Sequence, residues 1–300
     1  MNRVTVLTNP RSGHGNAPHA ARRAVEQFRR RGVEVSELVG TDAVHARSLV
    51  DEALHRGTDA LVVAGGDGAI SLALQSLATG DVPLGIVPAG TGNDHAREYG
   101  VPTGDPEAAV DVILDGRTET VDLGRIEDAA GSGTWFGTVM ACGFDSLVSD
   151  RTNRMRWPHG RMRYHIAMLA EMSKLRLLPF RLTFDDSPQI HTELTLAAFG
   201  NTRSYGGGML ICPGADHADG LLDVTMITSA SRTRLIRLFP TVFRGTHVDL
   251  DEVATRRART IHVECPGINA YADGDFAAAL PVTVSAVPGA LRIRRPGVSA

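Results

Sequence analysis

The sequence predicts an α/β N-terminal domain, with a parallel sheet and helices on both faces, followed by a mainly antiparallel β second domain. Three observations predict it. Strand-like runs and helical apolar spacing alternate at short intervals through the first third of the chain. Three of those runs end in glycine-rich loops. From about residue 121 strand-like runs follow one another with fewer helices between them.

The first strand is read at 4–8 (VTVLT), and Ala21, Ala24, Val25 and Phe28 then recur at the i, i+3, i+4, i+7 spacing of a helix face. Residues 33–38 read as the next strand. Ala46, Leu49, Val50, Ala53 and Leu54 form the second helix face, and 60–64 (ALVVA) is a run apolar enough for a strand covered on both sides. A helix over 70–78 and a strand over 84–87 complete the alternation. Strands at 135–141, 181–184, 193–199, 222–227 and 260–264 belong to the second domain. The last strand, 291–294 (LRIR), has no home fixed by sequence. The domains are set at 1–122, with 288–300 free to pack back on it, and 123–287.

Composition excludes several classes of function. The 300 residues carry 31 basic and 34 acidic side chains, a formal charge of −3, so global attraction to nucleic acid is unsupported and no nucleic-acid partner is expected. Cys142, Cys212 and Cys265 are odd in number and far apart, which suggests neither a disulfide framework nor a zinc site and makes a reducing cytosol the default. No N-terminal apolar stretch reads as a signal or a span, so lipid would be met from outside the bilayer. There is a single lysine, Lys174, which stands in neither a P-loop nor a kinase strand motif. Phosphate chemistry must then rest on backbone N–H groups, metal ions and arginine.

Three loops carry such chemistry. Asn9, Ser12 and Gly13 (NPRSG) follow the first strand, where amides and the Ser12 hydroxyl suit phosphate oxygens. Gly65, Gly66, Asp67 and Gly68 follow the third strand and open a helix, with backbone bare enough for a close ligand. Asp67 would hold Mg²⁺ there or orient the nucleotide, since a carboxylate beside phosphates needs a cation. Alternatively, it simply caps the helix. Gly90, Thr91, Gly92, Asn93 and Asp94 follow the fourth strand. Parallel topology brings all three loops to the carboxyl edge of one sheet, where α/β proteins bind ligands.

In this order, NPRSG, GGDG and PAGTGND resemble the diacylglycerol kinase catalytic domain family, which also includes sphingoid-base and ceramide kinases, and most closely its soluble actinobacterial members. NTRSYGGGM at 201–209, PGADHADGLLD at 213–223 and YADGD at 271–275 extend the resemblance over nearly the whole chain. It implies ATP in the inter-domain cleft, Mg²⁺ bridging the phosphates with help from Asp67 and Asp94, and transfer to the hydroxyl of diacylglycerol. It implies that Asp273 is the base, with Asp275 beside it on the nucleotide side, and that Asp219 through its side chain and Asp216 and Leu221 through carbonyls hold a structural Mg²⁺. Three positions depart from the family pattern: Ala69 and Leu72 replace a Thr and a Glu, and Asp275 replaces a Glu. An NAD kinase, another lipid kinase and a non-catalytic lipid-binding relative are the alternatives.

Residues 151–181 hold eight basic side chains against Glu171 alone, interleaved with Trp157, Tyr164 and aliphatic residues. Arg154, Arg156, Trp157, Arg161, Arg163, Lys174 and Arg176 suit an anionic lipid surface, and a protein lying peripherally on the inner face of the membrane. A helix through Leu235, Leu238, Phe239 and Val242, edged by Arg232, Arg234, Arg237 and Arg244, could extend this face, but is read first as core packing with a charged outer side. The sequence leaves a homodimer open.

Overall fold

The structure is a computed structural model that describes residues 1–9, 17–155, 157, 161–228 and 231–297, with backbone alone for 161–165. Two compact units divide the chain. The first comprises Met1–Leu123, Gly206–Gly208 and Val287–Ala300, and the second Gly124–Tyr205 and Met209–Ala286.

In the first unit the order is β1 (Arg3–Thr8), α1 (Ala17–Arg30), β2 (Glu34–Val39), α2 (Ala43–Arg56), β3 (Ala60–Gly65), α3 (Asp67–Leu77), β4 (Leu84–Pro88), α4 (Asp94–Glu98), α5 (Pro106–Asp115) and the first part of β5 (Arg117–Asp128). The strands pair in parallel as β2-β1-β3-β4. Every residue of β3 is buried, as its unbroken apolar run requires for a strand with helices on both faces. The chain steps outward from β1 to β2 and then back past β1 to β3. Right-handed crossovers therefore put α1 on one face and α2 and α3 on the other. Accordingly α1 packs with α5, and α2 with α3. Side-chain caps from Asp42 and Asp105 start α2 and α5.

The second unit contains β6 (Gly133–Phe136), β7 (Val139–Gly143), α6 (Phe144–Arg154), α7 (Arg161–Ser173), β8 (Leu178–Phe184), β9 (Ile190–Leu194), β10 (Leu196–Gly200), β11 (Leu222–Ile227), α8 (Arg232–Val242), β12 (Val253–Ala258), β13 (Thr260–Glu264), β14 (Asn269–Ala272), β15 (Asp275–Ala279) and the start of β16 (Val282–Arg295). Six strands form the antiparallel order β12-β11-β10-β7-β14-β15. Opposite them β8 turns Leu178, Phe180, Leu182 and Phe184 inward with the strand period of two, into a core shared with Phe136, Phe199, Val224 and Val263. The final strand serves both units: Ser285 pairs with Thr260 in the second, and Ile293 pairs with Leu84 in the first.

Two runs read as single strands are broken. The 135–141 run divides into β6 and β7 around Gly137 and Thr138, whose amides bond a side chain rather than a neighbouring strand. The 193–199 run divides at Thr195, with β9 and β10 in different sheets. Apolar residues flank both breaks closely on either side, so the pattern gives no sign of them.

Candidate active site

The carboxyl ends of β1, β3 and β4 are level, because Thr8 pairs with Ala64 and Gly65 with Pro88. Strand order reverses between β1 and β3, which makes this rim the topological switch point of the sheet. Asn9 sits on it at the end of β1, while Ser12 and Gly13 lie outside the described residues.

The loops after β3 and β4 interlock. Ala89 N–H donates to the Gly65 carbonyl at 2.9 Å. A Cβ on Gly90 would stand 2.5 Å from Gly66 Cα, and one on Gly66 3.0 Å from Gly90 Cα, so the two main chains touch where no side chain fits. Asn93 closes the second loop from a left-handed backbone (φ 54°): its Oδ1 accepts from Gly90 N–H at 2.9 Å and its Nδ2 donates to the Gly90 carbonyl at 3.1 Å. Thr91 lies exposed on this loop, and Gly68 lies in the first turn of α3.

Asp67 does not cap α3. The cap position is Gly66, which contributes no side chain, and the Asp67 carboxylate instead accepts from His95 N–H at 3.2 Å and pairs with His95 Nδ1 at 3.1 Å. Burial raises this carboxyl, but the hydrogen bonds and charge of His95 outweigh it and leave Asp67 below the usual carboxylate range. Its other oxygen faces Gly92, where a Cβ would come within 2.7 Å. Asp94, only 4% exposed, accepts from Arg97 at 2.7 Å and from the main-chain N–H groups of Gly207 and Gly208 at 2.7 and 2.8 Å. It thereby fixes the triple-glycine turn, which belongs to the first unit.

In the second unit, Asp273 and Gly274 turn the β14–β15 hairpin with φ of 50° and 88°, as the two-residue turn type of such hairpins demands. The turn directs the Asp273 carboxylate into the β6–β7 break. There it accepts from Gly137 N–H at 2.9 Å and from Thr138 N–H and hydroxyl at 2.8 and 2.6 Å. Asn201 holds the same break by donating to the Gly137 carbonyl at 2.9 Å. Asp275 reaches solvent, yet partial desolvation and then the charge of Asp273 raise its carboxyl.

The 216–223 loop makes tight Asx turns: Asp216 accepts from Ala218 N–H at 3.0 Å and Asp219 from Leu221 N–H at 2.9 Å. Arg257 bonds both Asp219 and Asp223. Burial and then the Asp216 charge push Asp223 up to about 6. Oxygen donors of this kind suit a hard divalent cation, but Arg257 already occupies Asp219 and Asp223, and among the described residues no group of three or more His, Cys, Asp or Glu side chains is placed to hold a metal ion.

On α6 and α7, Arg154 lines a cavity of about 330 Å³ with Leu147, Asp150, Met155 and Gly267. Trp157, Lys174 and Arg176 are exposed; Arg156 lies outside the described residues, and for Arg161 and Arg163 only the backbone is described. Sequence reasoning missed His95, the Gly137–Thr138 receptor for Asp273, and Arg257. None sits in a periodic relation to its partner, and only the step from Asp94 to the adjacent His95 offered a cue.

Residues 3–126 match the diacylglycerol kinase catalytic domain, and residues 138–295 the YegS C-terminal NAD kinase beta sandwich-like domain. The chain is 66% identical to a protein of Mycobacterium tuberculosis named "Diacylglycerol kinase", over 99% of this chain and 96% of that one. It is 30% identical to a Stenotrophomonas maltophilia protein named "Probable lipid kinase YegS-like", over 97% of each. Among solved structures, a diacylglycerol kinase from Bacillus anthracis superposes with a TM-score of 0.71 at 19% identity, covering 98% of this chain and 96% of that one. An NAD kinase from Archaeoglobus fulgidus in complex with ATP superposes at 0.55 with 15% identity, over 98% and 93%.

Proposed function

The chain belongs to the diacylglycerol kinase catalytic domain family and is a lipid kinase, and from that membership we propose that it transfers the γ-phosphoryl group of ATP to the free hydroxyl of diacylglycerol, giving phosphatidic acid at a membrane surface on the cytoplasmic side. The observation that carries the phosphoryl-transfer reading is the Gly66–Gly90 interlock, which leaves bare main chain at the switch-point rim. The choice of acceptor is supported by the name of the 66% identical relative.

Each group has a defined task. The loops at Gly65–Gly68 and Gly90–Asn93 receive the phosphates on amides. Asp67, kept ionised by His95, is the residue that would hold Mg²⁺ there, and Asp219 with the Asp216 and Leu221 carbonyls would hold it in the second unit. When bound, the ion supplies charge neutralisation for the phosphates. Asp94 acts through the Gly207–Gly208 turn that it fixes. Asp273 accepts the proton of the acceptor hydroxyl as its bond to phosphorus forms. The amides of Gly137 and Thr138 keep that carboxylate oriented, so no ordering is needed at the moment of reaction.

Asp273→Asn tests the assignment. ATP affinity should stay within about twofold while turnover falls by about 10² or more, the scale of lost general-base help. Undiminished turnover would remove Asp273 from the mechanism. Radiolabelled ATP offered with diacylglycerol micelles, ceramide micelles or NAD reads the acceptor directly, and label on NAD alone would replace this reading with that of the NAD kinases.

A further inference from the structure

The apolar stripe assigned to α8 from sequence is only partly right. Leu238 and Val242 are buried against Val139, Leu196 and Ile211, with Leu235 partly covered beside them. Phe239, read as core, is instead 50% exposed, and Ile236 and Phe243 are 60% and 45% exposed. Ile236 and Phe239 lie three apart on α8 and Phe243 follows four further on as its C-cap, still in helical backbone, so the three form a second apolar stripe along one face. The Phe239 and Phe243 rings meet edge to face, their centroids 5.5 Å apart, as a preassembled wedge.

The charges around this stripe are of one sign. Between 232 and 244 there are four arginines and no acid. Arg234 is paired with Glu252 at 2.9 Å, while among the described residues neither Arg237 nor Arg244 forms an ion pair. Arg232 donates to the Ser173 carbonyl, which joins the start of α8 to the end of α7. On α7, Ile166 and Leu169 are also exposed, and Lys174 and Arg176 follow.

We propose that α8 is a membrane-docking helix: Ile236, Phe239 and Phe243 enter the interface of an anionic bilayer while Arg237 and Arg244 meet its headgroups. An anionic lipid surface is the occupant that both features favour: exposed apolar side chains beside Arg237 and Arg244, which form no ion pair among the described residues, and continuity with the exposed basic end of α7. The proposal rests on the lipid-acceptor reading for its purpose, but not for its test.

The test is cosedimentation of the full chain with vesicles of phosphatidylglycerol and phosphatidylcholine, or of phosphatidylcholine alone, without nucleotide or acceptor. Replacing Ile236, Phe239 and Phe243 together by Ser should weaken binding to the anionic vesicles by about tenfold or more, with the melting temperature and turnover on a dispersed short-chain acceptor retained. Arg237→Gln with Arg244→Gln should weaken the same binding and reduce the preference for anionic vesicles, with the cations of 151–181 supplying what remains. Should the triple variant not fold, Phe239→Trp in the parent chain reports instead, and brominated lipid should quench its added emission. Vesicle binding unchanged in the variants, no binding by the parent, or no added quenching would each overturn the proposal. So would a parent dimer that the triple variant dissolves while vesicle binding persists, since a second copy would then own the face. Failure to phosphorylate diacylglycerol with vesicle docking intact would retire the acceptor reading alone.

Discussion

At Gly90 a single hydrogen separates a working loop from a clash. Its backbone suits any residue, so the cost of Gly90→Ala comes from contact alone: the new methyl would lie 2.5 Å from Gly66 Cα and 2.9 Å from Asn93 Oδ1. Main chain cannot yield as a flexible side chain does, and over-packing of this kind costs about 1–3 kcal/mol. The variant should melt at a lower temperature and bind ATP at least about tenfold more weakly, as the two loops part. Normal melting with normal ATP binding would show that the interlock does not shape the phosphate site. The residues of this site were legible in the sequence as types and places, since glycines after strands declare where backbone comes close. Their partnerships were not. Asp67 meets His95 twenty-eight positions on, and Asp273 meets Thr138 across 135, separations that no local pattern encodes. Asp94 shows the consequence. Expected at a metal, it is engaged by Arg97, Gly207 and Gly208, so Asp94→Ala should release the triple-glycine turn, read as faster amide exchange at 206–208.

Elements were legible where the apolar pattern admits one environment only, a single inward face for α1 and cover on both faces for β3, and the structure gives them that environment. On α8 two apolar stripes lie side by side, and spacing does not say which faces inward. The start of α6 presents a different conflict. Asp145 lies in its first turn, where the helix dipole favours a negative charge, yet burial pushes its carboxyl up to about 6. Between the unfolded carboxyl range near 4 and this raised value Asp145 binds more proton in the native state than in the unfolded one, so its contribution to stability falls as pH rises through that window. Asp145→Asn removes the titration. The variant should therefore be more stable than the parent at pH 8, by about 1–2 kcal/mol after allowance for partial exposure, and the gain should vanish near pH 4. Melting temperatures at the two pH values decide it, and an equal difference at both would mean that Asp145 is not the titrating group.

For the whole molecule, charge acts on two length scales. The chain carries −3 overall, whereas 151–181 holds eight cations against one acid and α8 adds arginines without an acid. Far from an anionic bilayer the net charge is weakly repelled; close to it the basic segments dominate, because their attraction reaches about one screening length, 10 Å at 0.1 M salt. Raising salt to about 1 M shortens that length to about 3 Å and removes most of this attraction, while apolar insertion does not weaken. Two docking modes thus separate by titration. If Ile236, Phe239 and Phe243 enter the bilayer, binding to phosphatidylglycerol vesicles should fall with salt to a plateau above zero, and the triple Ser variant should fall to zero along the same slope. A parent curve that itself reaches zero would mean that the arginines do all the holding and that the apolar stripe of α8 stays in water.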